Sequence, residues 1–351
     1  MRKCQLPYSG YCITGDGRGA PCCSMSPFGD RHVSIKDAFN LPIFQEARDN
    51  ENKWPEICRT CKRQEELYGG SHASKIDLID PVDNVISYLD ISFGNTCNLN
   101  CVMCSNDYST RWNTLNENMS DEMFNYISHN HTELKRKHIH QISYEEIDEI
   151  LDHAKQLKQI VIKGGEPLWD KKSLYFLNKL KEINPNVMLK IISNITHIDI
   201  DLLTSFENMK VICSIDGIYD VYEWIRGHPF KPVYENFKKL MSVKSSNFSV
   251  GLNYTVSAYN LECLKDSFEF FSDLGLHWME FGITVAMERH THFRCIGKER
   301  FTRAMSEISK LNETNFDYNL TWDRDPTDEE KEMFSKFTSF MNNYRNVSCP
   351  I

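Results

Sequence analysis

Ser87-Tyr-Leu-Asp-Ile-Ser-Phe-Gly-Asn-Thr-Cys-Asn-Leu-Asn-Cys-Val-Met-Cys104 is the stretch from which this chain is read. Its first part, Ser87–Phe93, carries the aromatic and branched residues of a strand. Its second part offers three thiols, Cys97, Cys101 and Cys104, spaced C-x3-C-x2-C in an Asn-rich loop. Three thiols so close together in a loop cannot all face a core, so metal ligation is the expected role. Ferredoxin-type iron–sulfur clusters take four Cys, so three leave one iron without a protein ligand. An open position on a metal is a place for chemistry, as catalytic zinc sites show. Zinc itself is the competing reading, with His or a distant Cys as fourth ligand. Structural zinc commonly uses paired knuckles with a longer spacer between them, and no second knuckle follows Cys104.

Downstream, short apolar runs alternate with amphipathic segments. Strands are expected at Val85–Phe93, Gln159–Lys163, Val187–Ser193, Lys210–Ile215, Phe248–Val256 and Trp278–Val285. Helices are expected near Tyr144–Leu157, Lys172–Ile183, Asp199–Glu207, Val233–Val243 and Leu261–Leu274. Strands separated by helical segments pair in parallel through right-handed crossovers, which makes the chain α/β. The insert Asn106–Ile142 is polar and holds His129, His131, His138 and His140. A metal role is open to them, but so charged a stretch reads more simply as a solvated helix–loop flap. The tail from Phe301 reads as amphipathic helices.

Upstream, residues 1–80 are rich in Gly, Pro and Cys, with one short helical stretch near Ile35–Arg48. A segment with so few regular apolar faces needs a metal or a disulfide to hold it. Nine of the thirteen cysteines precede residue 105: Cys4, Cys12, Cys22, Cys23, Cys58, Cys61, Cys97, Cys101 and Cys104. The N-terminal residues lack the apolar region of a signal peptide, and no apolar run approaches the roughly 18–20 residues of a membrane span. A cytoplasmic protein is therefore expected, in which clustered Cys point to metal binding or catalysis rather than disulfides. The net charge of −9 disfavours a broad nucleic-acid surface. Cys213, Cys263 and Cys295 are expected to be apolar core fillers.

The three-Cys loop closing a strand resembles the signature of radical S-adenosylmethionine (radical SAM) enzymes. One unit later comes Lys163-Gly-Gly-Glu-Pro167, similar to the motif with which that family grips the methionyl amine of SAM. The resemblance implies a partial (βα)6 TIM-like barrel with its site at the C-terminal strand ends. Cys97, Cys101 and Cys104 would hold a [4Fe–4S] cluster, with Gly164, Gly165 and Glu166 binding SAM. Ser193 and Asn194, in Ser193-Asn-Ile-Thr196, stand where the family carries an element near the ribose and carboxylate, although Ile195 replaces the usual Gly. Arg226 stands where relatives place an arginine on the SAM carboxylate, a bidentate geometry suited to guanidinium; a surface helix charge is the alternative. The implied chemistry is reductive cleavage of SAM to a 5′-deoxyadenosyl radical that takes hydrogen from a substrate. A low-potential donor such as flavodoxin or ferredoxin would supply the electron.

The front segment resembles the Twitch and SPASM modules that hold auxiliary clusters in some members of the family. On that resemblance Cys4, Cys22, Cys58 and Cys61 would complete a four-thiolate auxiliary [4Fe–4S] site, with Cys23 or Cys12 as substitutes. Thiolate spacing does not separate this from zinc. The expected organisation is a Cys-rich segment at 1–80, a barrel at 81–295 and a helical extension at 296–351. Because such relatives often act on ribosomally made peptides, the resemblance makes a peptide or protein side chain the leading substrate. A sugar, nucleotide or other small metabolite is the alternative, and a non-catalytic iron–sulfur or zinc protein the second.

Overall fold

The computed structural model describes residues 4–25, 29–49, 54–76, 78–79, 81–128, 137, 139–276, 280–286, 288–311 and 320–351. Eight strands form its sheet: β1 (Gly10–Ile13), β2 (Gly19–Ala20), β3 (Tyr88–Ile91), β4 (Gln159–Ile162), β5 (Met188–Ser193), β6 (Asn208–Ser214), β7 (Phe248–Val256) and β8 (Phe281–Val285). Their spatial order is β2-β1-β3-β4-β5-β6-β7-β8. Every neighbouring pair is parallel except the β1–β2 hairpin. The six expected strands are β3 to β8, laid side by side in chain order. The expected start of the last one, at Trp278, lies outside the described residues.

Two strands were not foreseen. β1, from the Cys-rich front segment, pairs in parallel with β3, so that Cys12 lies beside Asp90. Front residues Leu6, Tyr11, Ile13, Val33, Ile35 and Phe44 share one continuous apolar core with the sheet. The helical stretch expected near Ile35–Arg48 consists of a 3-10 turn, Ala38–Asn40, and a helix, Pro42–Asp49.

Alternation along each strand divides the sheet into two unlike faces. Leu89, Ile91, Ile160, Ile162, Leu189, Ile191, Val211 and Leu252 are buried on one face. Against them pack Phe176, Leu177 and Leu180 of helix Lys171–Ile183 and Val233, Phe237 and Leu240 of helix Phe230–Met241. The opposite face carries Lys190, Lys210, Asn253, Thr255 and Thr284, all at least partly exposed.

A second, smaller core corrects the expectation of a solvated flap. Helices Trp112–Asn118 and Asp121–Ser128 bury Trp112, Leu115, Met123 and Ile127 against Val102, Trp224, Tyr259, Met333, Phe337 and Met341. The last three belong to the helix Asp328–Arg345, which starts at a reciprocal capping box between Thr327 and Glu330. Trp112 stacks on Phe337 with ring centroids 6.2 Å apart. His129, His131 and His138 lie outside the described residues.

Candidate active site at the strand ends

The loop after β3 is folded on itself by its own polar groups. Asn95 Nδ2 donates to the Asn106 carbonyl at 2.6 Å, and Trp112 Nε1 donates to the Cys101 carbonyl at 2.9 Å. The Cys104 amide donates to the Cys101 carbonyl at 3.0 Å, closing a turn. This brings the three thiols within electrostatic reach of one another. Burial pushes the Cys97 thiol up to about 12 and Cys104 well above its ordinary value. Cys101 is also raised by burial, but Arg226 and then Arg345 work against the rise. Thiols in such surroundings ionise when a cation takes the proton's place, which is what metal ligation does. No disulfide occupies any of them. Among the described residues, however, no three His, Cys, Asp or Glu side chains are drawn together tightly enough to hold a metal ion as they stand.

The loop after β4 is shaped by its glycines. Gly164 and Gly165 have φ of +78° and +56°, a region that disfavours side chains. A Cβ at Gly164 would collide with the Ser92 side chain, and one at Gly165 with the Thr96 carbonyl. These glycines therefore let the β4 loop lie directly on the thiol loop, and the Glu166 amide donates to the Thr96 carbonyl at 2.8 Å. The Glu166 carboxylate is buried and fully occupied. Oε1 accepts from Ser193 Oγ at 2.6 Å and from the Leu168 amide at 3.0 Å, and Oε2 accepts from the Asn194 amide at 2.6 Å. Burial raises its pKa, and these donors oppose the rise.

Glu166 thereby fastens the end of β5. Asn194 Nδ2 donates to Asn98 Oδ1 at 3.0 Å and lies 4.0 Å from Cys97 Sγ. Ile195 is buried with φ of +48°, a conformation unfavourable for a branched side chain. The backbone thus takes a glycine-like turn without a glycine, held by Ser193 Oγ on the Ile195 amide at 2.9 Å and by Asn236 on its carbonyl at 2.9 Å.

Arg226 is the last residue of helix Tyr219–Arg226 and is buried, not a surface charge. Its Nη2 pairs with Asp216 Oδ2 at 2.5 Å, and its Nη1 donates to Cys101 Sγ at 3.6 Å. Burial works against this guanidinium, but Asp216 and Cys101 hold its pKa above the ordinary value. Asp216 also accepts the Thr255 amide at 2.7 Å, tying the ends of β6 and β7 together.

Sequence reasoning passed over four participants. Asp216 was visible as a carboxylate closing an apolar strand. Asn98, Trp112 and Arg345 had no local signal, because their roles depend on distant partners. Arg345 Nη2 reaches the Asn100 carbonyl at 2.8 Å from the far end of the chain.

Among the front thiols, Cys4 and Cys61 lie within electrostatic reach of each other and of both Cys22 and Cys58, and Cys22 is also within reach of Cys23 and Cys12. Cys12 and Cys23 are set against Asp90 and Lys163, whose ion pair measures 2.7 Å.

Residues 91–271, just over half of the chain, match the family model described as the Radical SAM superfamily. The chain belongs to the radical SAM superfamily. It is accordingly an enzyme, of a family that works on S-adenosylmethionine with an iron–sulfur cofactor. No curated protein matches it. Solved structures similar to this radical SAM chain include native anSMEcpe with bound AdoMet, at 15% identity and a TM-score of 0.47, covering 64% of this chain and 60% of that one. Another is Streptococcus suis SuiB bound to its precursor peptide SuiA, at 13% identity and 0.44, covering 82% and 56%. A third is the Kitasatospora setae radical SAM methyltransferase TsrM, at 14% and 0.41, covering 65% and 43%. The chain thus spans at most about three fifths of these relatives' length. Among the described residues no helix is long and apolar enough to cross a membrane.

Proposed function

We propose that this radical SAM enzyme holds a [4Fe–4S] cluster on Cys97, Cys101 and Cys104 and binds SAM beside it, taking hydrogen from a peptide or protein side chain. When bound, the cluster would supply the electron that cleaves SAM to methionine and a 5′-deoxyadenosyl radical. The observation that carries the reading is the joining of four segments on one thiol loop: the loops after β4 and β5, Arg226, and Trp112. The donor set fits, with three thiols free of disulfides, Cys101 buried and facing a guanidinium and Cys97 and Cys104 half-buried. Thiolates around a cubane also stand farther apart than ligands of a single ion, so the absence of a tight three-residue group does not count against it.

The roles of the other residues follow from their contacts. Gly164 and Gly165 leave backbone groups bare for a ligand's amine, whereas Glu166 acts through Ser193 and Asn194 by holding that strand end in place. Arg226 sets a positive charge beside Cys101, and Asp216 keeps it there. Cys4, Cys22, Cys58 and Cys61 form the proposed auxiliary [4Fe–4S] site, supported by the nearness of Cys4 and Cys61 to each of the other two; zinc would use the same donors. A flavodoxin or ferredoxin is the proposed reductant. The peptide substrate rests on the Twitch- and SPASM-like front segment.

Anaerobically reconstituted protein, given SAM and a strong reductant, is expected to release 5′-deoxyadenosine. Changing Cys97, Cys101 and Cys104 together to Ala should abolish that release while front-site metal persists. A wild-type protein that binds only zinc, or that never cleaves SAM, would defeat the reading. Iron and sulfide counts decide the front site, since one cubane plus zinc excludes the auxiliary cluster.

A further inference from the structure

On the sheet face turned away from the helices, strand register lays Cys12, Asp90, Val161, Lys190, Lys210 and Ser249 in one transverse row. Lys190 and Lys210 are therefore direct cross-strand neighbours. Like charges directly opposite each other destabilise a sheet, and Lys210 is exposed to solvent. Lys190 is half-buried. Burial, followed by Lys210, lowers its pKa, while Asp90 acts in the other direction. Neither ammonium has a hydrogen bond or ion pair among the described residues. The nearest carboxylate in the row, Asp90, is already engaged by Lys163 at 2.7 Å. His72 stands within electrostatic reach of Asp90, Lys163 and Lys190, and its Nε2 is buried with no hydrogen-bond partner. The patch thus holds, among the described residues, two ammonium groups without a protein partner beside an Asp90 carboxylate whose Oδ1 is buried and also unpartnered, in a chain whose net charge is −9.

We propose that Lys190 and Lys210 bind an oxyanion group, carboxylate or phosphate, borne by the substrate of the radical reaction. The inference rests on the reading of the strand-end site given above. Lys190 lies three residues before Ser193, roughly 10 Å along the strand. A group anchored on the two lysines leaves about that length of substrate reaching up to the loops that would hold SAM. A sequence that keeps two opposed, unpaired lysines breaks a local stability rule, and such breaks concentrate where function demands them. Ammonium groups act as point charges and do not by themselves separate carboxylate from phosphate.

Full-length, anaerobically reconstituted protein is titrated calorimetrically with inorganic pyrophosphate and, separately, with N-acetyl-triglutamate amide. The wild type is expected to bind one of them saturably, and the K190M/K210M double variant to bind it at least about tenfold more weakly. The double variant should melt no lower than wild type, because a repulsion has been removed. K190R/K210R, which keeps both charges, should retain binding within about threefold. Preference for pyrophosphate assigns a phosphorylated substrate, and preference for triglutamate an acidic peptide. No saturable binding of either probe by wild type, or equal binding by wild type and K190M/K210M, overturns the proposal. Release of 5′-deoxyadenosine by the wild-type preparation, measured in parallel, reports separately on the radical reading.

Discussion

Glu166 has the clearest division between what its motif suggests and what its atoms do. The resemblance assigns it to SAM, yet both carboxylate oxygens are spent on Ser193, Asn194 and Leu168. Glu166→Gln would turn an amide nitrogen toward the Asn194 or Leu168 backbone amide, each of which can only donate, leaving a buried donor unsatisfied. The expected loss is about 1–3 kcal/mol in urea unfolding, together with weaker SAM binding by calorimetry as the β5 loop shifts. Gly165→Ala is expected to be worse. It puts a side chain at φ of +56° and into the Thr96 carbonyl, so the thiol loop must move; the measurable result is a several-fold fall in iron retained after reconstitution. These residues were legible in the sequence because a glycine pair after a strand and three clustered thiols are local patterns. Asp216 was visible as a carboxylate after an apolar strand, but its pairing with Arg226 across the turn into the next helix is not set by any local pattern.

Among the elements, the strands were legible where the apolar period ran long enough. β1 was not, since Gly10-Tyr-Cys-Ile is four residues inside a Gly- and Pro-rich stretch and owes its existence to β3. Helix Tyr219–Arg226 was missed for a similar reason: eight residues heavy in aromatics carry little helical preference, and packing overrides it. The terminal helix Asp328–Arg345 was readable as amphipathic, but not what it covers. Its Asn342 accepts from Trp224 Nε1 at 2.9 Å, its Thr338 meets the Tyr259 hydroxyl at 2.9 Å, and its Arg345 lies over the Trp224 ring. Arg345 also donates to the Asn100 and Ile225 carbonyls. Arg345→Met should leave the Asn100 carbonyl short of a donor, the Ile225 carbonyl keeping the Val102 amide, and cost about 1–3 kcal/mol. Iron retention, followed by absorbance during anaerobic dilution, should fall faster than in wild type; Arg345→Lys should restore part of it.

For the molecule as a whole, the front segment, the sheet and the terminal helix are held by two cores that draw on residues far apart in sequence. One consequence is a pH-dependent stability centred on His290, which is buried against Phe337 with ring centroids 4.5 Å apart. Burial lowers its pKa to about 4, Glu288 opposing the fall. The native state therefore stays unprotonated where the unfolded chain, with a histidine pKa near ~6.5, takes up a proton. Stability is complete above that value and is lost as pH falls toward about 4, by at most about 3 kcal/mol. Urea midpoints across this window should fall for wild type and fall less for His290→Phe. The terminal helix also bears on biosynthesis. A polypeptide emerges from the ribosome amino end first, so Cys97, Cys101 and Cys104 are translated well before the segment that roofs Trp112 and Trp224. During that interval the thiol loop lacks the cover of the terminal helix, and the second core closes only once Met333, Phe337 and Met341 have been made.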